Sequence, residues 1–130
     1  MANLTREDLR RLTGCAEELT GNWHALSTRK IGAVTAVDGV IKGAARPIPA
    51  RLLQPPTGRA NGAGLLYAHA HGNSYDIGRS EVTDGRPALL DPPLGLHLAR
   101  LGYTILCADM PGFGDRVAEG SESALVKAAL

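Results

Sequence analysis

The first hydrophobic pattern along the chain is that of an amphipathic helix. Apolar side chains recur at spacings of three and four within a segment rich in charged residues; they are Leu9, Leu12, Ala16 and Leu19. We predict a helix over residues 5–20, within an N-terminal segment of residues 1–22. Packing on the outside of the domain and binding of a partner are both compatible with this pattern.

The pattern then changes to that of β-strands. β-Branched residues dominate residues 31–37, and a second extended stretch covers residues 40–53. Asp38-Gly39 between them is a hairpin signal, which predicts a turn at this position. Pro49 lacks an amide hydrogen, so it confines its segment to a sheet edge or to the start of a strand.

The segment from residue 65 to residue 108 predicts a strand–helix–strand unit. Residues 65–70 and 104–108 are apolar on both faces, as strands covered on two sides are. Between them, leucines at spacings of four and three predict a helix near residues 92–101, which opens with two prolines. The two strands of such a unit are parallel, with a right-handed crossover. We therefore predict an α/β fold in which antiparallel first strands precede a parallel unit.

The charge balance and the lengths of the apolar runs exclude several function classes. Fourteen basic and thirteen acidic residues give a formal net charge of +1, which leaves no excess positive charge to neutralise a nucleic-acid backbone. No apolar run approaches the ~20 residues that a transmembrane helix needs. Cys15 and Cys107 lie far apart, without the spacing of a disulfide or a zinc site. We therefore expect a cytoplasmic protein that binds neither nucleic acid nor a membrane and uses no cofactor.

Polar, glycine-containing loops follow both of the predicted parallel strands. His71, Gly72 and Asn73 come after the first strand. The residues of interest after the second strand are Asp109, Gly112 and Gly114. Ligands of open parallel sheets bind outside the carboxyl ends of the strands, so we expect a site where these two loops meet.

Two histidines at the end of the first strand raise a separate hypothesis. His69 and His71 lie two residues apart on one face, a spacing compatible with a shared metal ion and with a metal-dependent hydrolase. The acidic and histidine residues that complete longer metal motifs are absent, since Tyr67 precedes the pair and Asn73 and Ser74 follow it. Local hydrogen bonding that shapes the loop is the competing interpretation, above all for His69.

Three short sequence motifs within residues 65–116 occur together at a spacing known from one protein family. They are a hydrophobic strand leading into His71-Gly72-Asn73, the run at residues 98–103, and the Asp-x-Pro-Gly-Phe-Gly run at residues 109–114. The segment resembles the first strand–helix–strand unit of the α/β-hydrolase superfamily, and most of all its dienelactone-hydrolase-like esterases. The resemblance implies a serine hydrolase acting on a small-molecule ester or a related acyl substrate. It also implies that the Asn73 amide is one oxyanion donor and that Gly72 lets the backbone turn inward.

The nucleophile motif of that superfamily, G-x-S-x-G, occurs nowhere in the sequence. At residues 120–124, which read Gly-Ser-Glu-Ser-Ala, Ser121 or Ser123 is typical of the N-cap of a helix, which we predict from about residue 123. The resemblance places the nucleophile, the acid and the histidine later in the chain, so no catalytic residue is expected here. Residues 23–130 are then expected to be the N-terminal part of an α/β-hydrolase domain, ending before the nucleophile elbow.

A stand-alone, non-catalytic α/β binding module is the alternative to a hydrolase. The two hypotheses differ in what lies beside residues 65–70, because the resembled fold places the strand that carries the nucleophile there. Without that strand, residues 65–70 form a hydrophobic edge that lacks protective lysines and prolines. We expect the isolated chain to self-associate through this edge.

Overall fold

A computed structural model describes residues 21–43, 46–89 and 91–119. The helices predicted over residues 5–20 and from about residue 123 lie outside the described residues. The division of the chain after residue 22 accordingly stays a prediction.

The described residues form a five-stranded mixed sheet. Its strands, in chain order, are β1 (Asn22–Ile31), β2 (Val34–Lys42), β3 (Ile48–Gln54), β4 (Gly64–Tyr67) and β5 (Thr104–Ala108). The spatial order is β1-β2-β3-β5-β4, with antiparallel pairing between β1, β2, β3 and β5 and parallel pairing between β4 and β5. The predicted parallel pair is therefore confirmed, within an α/β sheet that has an antiparallel side.

Short helices accompany the last two strands. They are a 3₁₀ turn (Gly78–Ser80), α1 (Glu81–Asp84), α2 (Leu94–Arg100) and a second 3₁₀ segment (Gly114–Glu119). The helix predicted near residues 92–101 is confirmed over the shorter range of α2, directly after Pro93. α1 is absent from the sequence prediction, because four residues are too few to show a helical period. None of the helices in the described part of the chain is long and apolar enough to cross a lipid bilayer.

The first hairpin turns at residues 32–33, so the turn predicted at Asp38-Gly39 is wrong. Asp38 lies inside β2, where its carboxylate accepts two hydrogen bonds from Arg51 on β3 (2.8 and 3.0 Å). Gly39 lies inside β2 because Trp23 of β1 packs against it, and a Cβ at residue 39 would lie 2.6 Å from the Trp23 ring. Asp38 and Gly39 thus make contacts with the neighbouring strands, and a local turn signal in the sequence does not reveal such contacts.

The strands differ from the prediction in three other respects. β1 is absent from it, because nearly all side chains of β1 are exposed and no alternating pattern results. The stretch predicted over residues 40–53 is divided, since β2 ends at Lys42 and β3 begins at Ile48. Pro49 is the second residue of β3, an interior strand, in agreement with a proline at the start of a strand. β4 ends at Tyr67 rather than at residue 70.

The core lies on one face of the sheet, beneath α1 and α2. Its buried members are Val34, Ala36, Leu53, Val82, Leu96, Ala99, Ile105 and Cys107. The two helices approach closely, since a Cβ at Gly95 would lie 2.6 Å from the Val82 side chain. Burial, together with the charges of Asp109 and Glu81, raises the pKa of the Cys107 thiol to about 12. Cys107 therefore stays protonated and packs as a small apolar side chain.

Candidate functional site

The loops that follow β4 and β5 meet at the carboxyl edge of this parallel pair. The first loop consists of residues 68–77, and the second of residues 109–116. They are joined directly, since the Gly114 amide donates a hydrogen bond to the Tyr75 carbonyl at 2.7 Å. The structure thus brings together the two loops in which the sequence places candidate site residues.

Asp109 lies at the centre of the second loop and is fully buried. Its carboxylate accepts hydrogen bonds from the amides of Asp115 (3.1 Å) and Arg79 (2.6 Å), and it pairs with the Arg79 guanidinium. Gly78 and Gly114 have φ values of 49° and 53°, and a Cβ on either would lie 2.5 Å from this carboxylate. Asp109 therefore joins the second loop to the first 3₁₀ turn, and the structure leaves room only for glycine at residues 78 and 114.

Hydrogen bonds between its own backbone groups hold the rest of the second loop. The Phe113 amide donates to the Met110 carbonyl (3.0 Å), and the Gly112 amide donates to the Arg116 carbonyl (3.1 Å). Gly112 has a φ of 84°, a conformation that favours glycine. Gly112 thus serves as a turn position.

Four aromatic rings pack between the two loops. Phe113 is buried, and the ring centroids of His69, His71 and Tyr75 lie 5.0, 5.4 and 5.1 Å from its own. The rings of His71 and Tyr75 also meet edge to face at 5.2 Å. These distances are those of favourable aromatic pairs. The cluster ties the first loop to the second through side chains, in addition to the backbone bond.

The ring of His69 is buried and used locally. Its Nε2 accepts a hydrogen bond from the Met110 amide at 3.1 Å, so the ring proton resides on Nδ1, which lies 3.4 Å from the Ala70 carbonyl oxygen. The Nε2 lone pair that a metal ion would need is thereby occupied. Among the described residues, no group of three or more His, Cys, Asp or Glu side chains is placed to hold a metal ion. The contacts of His69 therefore agree with the interpretation of local hydrogen bonding that shapes the loop.

His71, Gly72 and Asn73 lie in an exposed turn of the first loop. Gly72 and Asn73 have positive φ values, 48° and 54°, and the Ser74 amide donates to the His71 carbonyl at 3.3 Å. Positive φ at both central positions is the property of a type I′ turn, which favours glycine and asparagine. The Asn73 amide donates a long hydrogen bond to His71 Nδ1 (3.5 Å) and takes no part in the pairing of β4 with β5.

Two further candidates, Glu81 and Arg86, are not apparent from the sequence. Glu81 is buried on α1, and its carboxylate accepts hydrogen bonds from the Tyr67 hydroxyl (2.9 Å) and the Ala70 amide (3.1 Å). Burial, and secondly the bond to Glu81, raises the pKa of Tyr67 to about 12, so its hydroxyl stays a donor. Arg86 pairs with the same carboxylate.

An open cleft of about 490 Å³ lies beside the first loop. It is lined by Ile77, Asp84, Gly85, Arg86, Pro87, Leu89, Asp91 and Pro93. Arg86 thus belongs both to the cleft and to the contacts of the loop.

Comparison with known proteins relates the chain to a hydrolase. It is similar to a protein named Putative hydrolase YtaP of Bacillus subtilis (strain 168), with 38% identity over 68 residues. The match covers 52% of this chain and 23% of the length of that protein. No protein-family model and no solved structure matches the chain. The similarity supports a hydrolase and does not extend to the type of hydrolase.

Proposed function

We propose that this chain supplies the oxyanion side of a serine α/β-hydrolase that acts on esters or related acyl substrates. The observation that carries the proposal is the left-handed turn at residues 71–74, which follows a parallel strand and leaves Asn73 at the surface. The similarity to a hydrolase and the resemblance of residues 65–116 to the α/β-hydrolase superfamily support it.

The reaction of such an enzyme explains why a backbone amide matters. A serine attacks the acyl carbon, and negative charge develops on the carbonyl oxygen. A preorganised N–H within about 2.7–3.1 Å of that oxygen stabilises the charge. In this proposal the Asn73 N–H is one such donor, Gly72 shapes the turn, and His71 packs the turn against Phe113. The nucleophile, acid and base come from outside these 130 residues, and the reaction needs no cofactor.

Asp109 has a role different from that of a triad acid in this proposal. Its carboxylate is occupied by Arg79 and by two backbone amides. A triad acid instead accepts a hydrogen bond from the catalytic histidine. We therefore assign Asp109, together with Gly112 and Gly114, to the architecture of the second loop.

A covalent probe tests the class of enzyme. We expect the protein expressed from its whole reading frame to contain one serine that reacts with a fluorophosphonate, located by mass spectrometry in a G-x-S-x-G sequence after Leu130. Hydrolysis of p-nitrophenyl esters should be lost on labelling. A folded protein with no labelled serine and no ester hydrolysis would contradict the proposal and favour the stand-alone binding module.

Two substitutions at residue 73 test the oxyanion assignment. Asn73→Pro removes the amide hydrogen and is expected to lower kcat by about 10²–10³-fold. Proline also cannot adopt the observed φ of 54°, so Asn73→Gly serves as the control that keeps both the amide and the turn. With Asn73→Gly, kcat should stay within about threefold of wild type, because the donor is backbone. Equal effects of the two substitutions on kcat would show that the assignment is wrong.

A further inference from the structure

Glu81 and Arg86 form a buried ion pair. Arg86 Nε donates to Glu81 Oε2 at 2.5 Å, and the two side chains are only 5% (Arg86) and 1% (Glu81) exposed. Removing two charges from water costs free energy, which their attraction offsets only when further hydrogen bonds satisfy both groups. The partners of these further hydrogen bonds therefore show what the ion pair holds in place.

Apart from the bond that Glu81 accepts from the Tyr67 hydroxyl (2.9 Å), the further hydrogen bonds go to one short segment of backbone. The Glu81 carboxylate accepts from the Ala70 amide (3.1 Å). The Arg86 guanidinium donates to the carbonyls of Ala70 (2.7 Å) and His71 (3.4 Å). The ion pair thus holds the amide and the carbonyl of Ala70 and the carbonyl of His71, directly before the left-handed turn.

Gly72 shows how closely Arg86 approaches this turn. A Cβ at residue 72, where φ is 48°, would overlap the Arg86 guanidinium group. The left-handed backbone therefore favours glycine, and a larger residue here would also displace the Arg86 side chain. The turn and the ion pair fit each other as one unit.

We propose that Glu81 and Arg86 are positioning residues that fix the backbone of residues 70–73 and, through it, the direction of the Asn73 amide. This inference rests on the function proposed above for that amide. A carboxylate accepts the N–H, a planar guanidinium donates to two carbonyls in a fixed geometry, and each neutralises the other. In this assignment the pair touches neither the substrate nor the reacting atoms.

A double variant separates positioning from charge burial. Glu81→Leu combined with Arg86→Met removes both charges and all the backbone anchors at similar side-chain volume, a change that is often neutral for the stability of buried ion pairs. In the protein expressed from its whole reading frame, we expect the Ala70 amide to exchange its hydrogen at least about tenfold faster than in wild type. NMR-detected hydrogen exchange measures this rate.

Val34→Ala is the control for a general loss of stability. Val34 is fully buried on β2, and its truncation leaves a cavity in the core without touching residues 70–73. We expect this variant to unfold at lower denaturant concentration, with no selective change at Ala70.

Kinetics connect the ion pair to the proposed function. We expect the double variant to lower kcat by about 10²-fold and to leave KM within about threefold, because a misdirected oxyanion donor weakens the transition state more than substrate binding. Arg86→Lys keeps the charge but lacks the planar fork, so its kcat should lie between wild type and the double variant.

Selectively faster hydrogen exchange of the Ala70 amide in the double variant, together with its lower kcat, supports the inference. Unchanged exchange at Ala70, or an equal acceleration in Val34→Ala, overturns it. Selective acceleration with unchanged kcat overturns it as well, since the direction of the Asn73 amide then has no effect on turnover. If the wild-type protein has no serine that the fluorophosphonate labels, the proposed function fails, while the exchange rates still decide whether the pair positions residues 70–73.

Discussion

At the scale of single residues, the second loop depends on a position where a side chain has no room. Gly114 has a φ of 53°, and a Cβ there would lie 2.5–2.6 Å from the carboxylate atoms of Asp109. This carboxylate cannot move aside, because it is buried and held by two backbone amides and Arg79. Gly58 has a similar φ of 75°, yet a Cβ there would meet no atom within 4 Å.

We expect Gly114→Ala to lower the free energy of unfolding by about 2–4 kcal/mol, from backbone strain and displacement of the Asp109 carboxylate. Gly58→Ala should lower it by only about 1 kcal/mol, since the strain remains and the clash is absent. Urea unfolding of both variants measures the difference. Equal losses would show that the Asp109 carboxylate does not constrain residue 114.

The meeting of the two loops could be predicted from the sequence, whereas the ion pair could not. His71, Gly72 and Asp109 directly or closely follow apolar strands, and a parallel unit brings such strand ends to one edge of the sheet. The backbone partners of Glu81 and Arg86 lie 11 to 16 residues away, so their contacts exist only once the chain is folded. A charged residue in a polar stretch has the same sequence pattern whether it is buried or solvated.

At the scale of secondary structure elements, β2 shows how contacts between strands override a local signal. Asp38 lies within β2, pairs with Arg51 on β3, and lies 3.5 Å from the Arg79 Nε of the first 3₁₀ turn. Burial by itself would raise the pKa of Asp38, but the two guanidinium groups lower it below its ordinary value. Asp38 thus stabilises the packing of three elements as an ionised group.

The lowered pKa of Asp38 predicts an acid-sensitive contribution to stability. A carboxyl pKa that is lower in the folded state stabilises the fold above the unfolded value of about 3.8, and this is lost as the pH falls through the folded value. We expect Asp38→Asn to unfold with about 1–2 kcal/mol less free energy than wild type at neutral pH. The difference should shrink as the pH falls below 3.8, which unfolding across a pH series measures. A difference that does not depend on pH would contradict this account.

The strands themselves differ in how visible they are in the sequence. β5 is a continuous apolar run with buried residues, so it could be predicted closely. β1 is held by its pairing with β2 and buries little, so no period of two appears. The alternation of apolar and polar residues reflects the burial of side chains. A strand that is stabilised mainly by backbone pairing therefore shows no such alternation.

At the scale of the whole molecule, the sheet formed by the described residues has two unlike edges, β1 and β4. β1 has a register shift beside Leu26 and carries Arg29 and Lys30, features that protect an edge from further pairing. β4 carries neither lysine nor proline, and the side chain of its Leu66 is 79% exposed. Within the described residues, β4 is therefore the edge that lacks these protective features.

We expect the 130-residue chain, expressed by itself, to self-associate through β4. Leu66→Lys places a charge on this edge and should weaken association by roughly tenfold or more in the dissociation constant. Leu26→Lys is the matched control, because Leu26 is 72% exposed on the protected edge and should leave association unchanged. Sedimentation velocity over a concentration series measures both effects.

The outcomes distinguish pairing through the β4 edge from non-specific hydrophobic association. Equal weakening by both lysines would show that exposed leucines drive association wherever they lie, and a monodisperse monomer at every concentration would remove the case for an open edge. In the fold that the proposed function implies, a following strand lies beside β4 and occupies the same backbone groups. Leu66→Lys should then no longer change the association state, and it should instead lower stability, because a charge would enter a buried interface between strands.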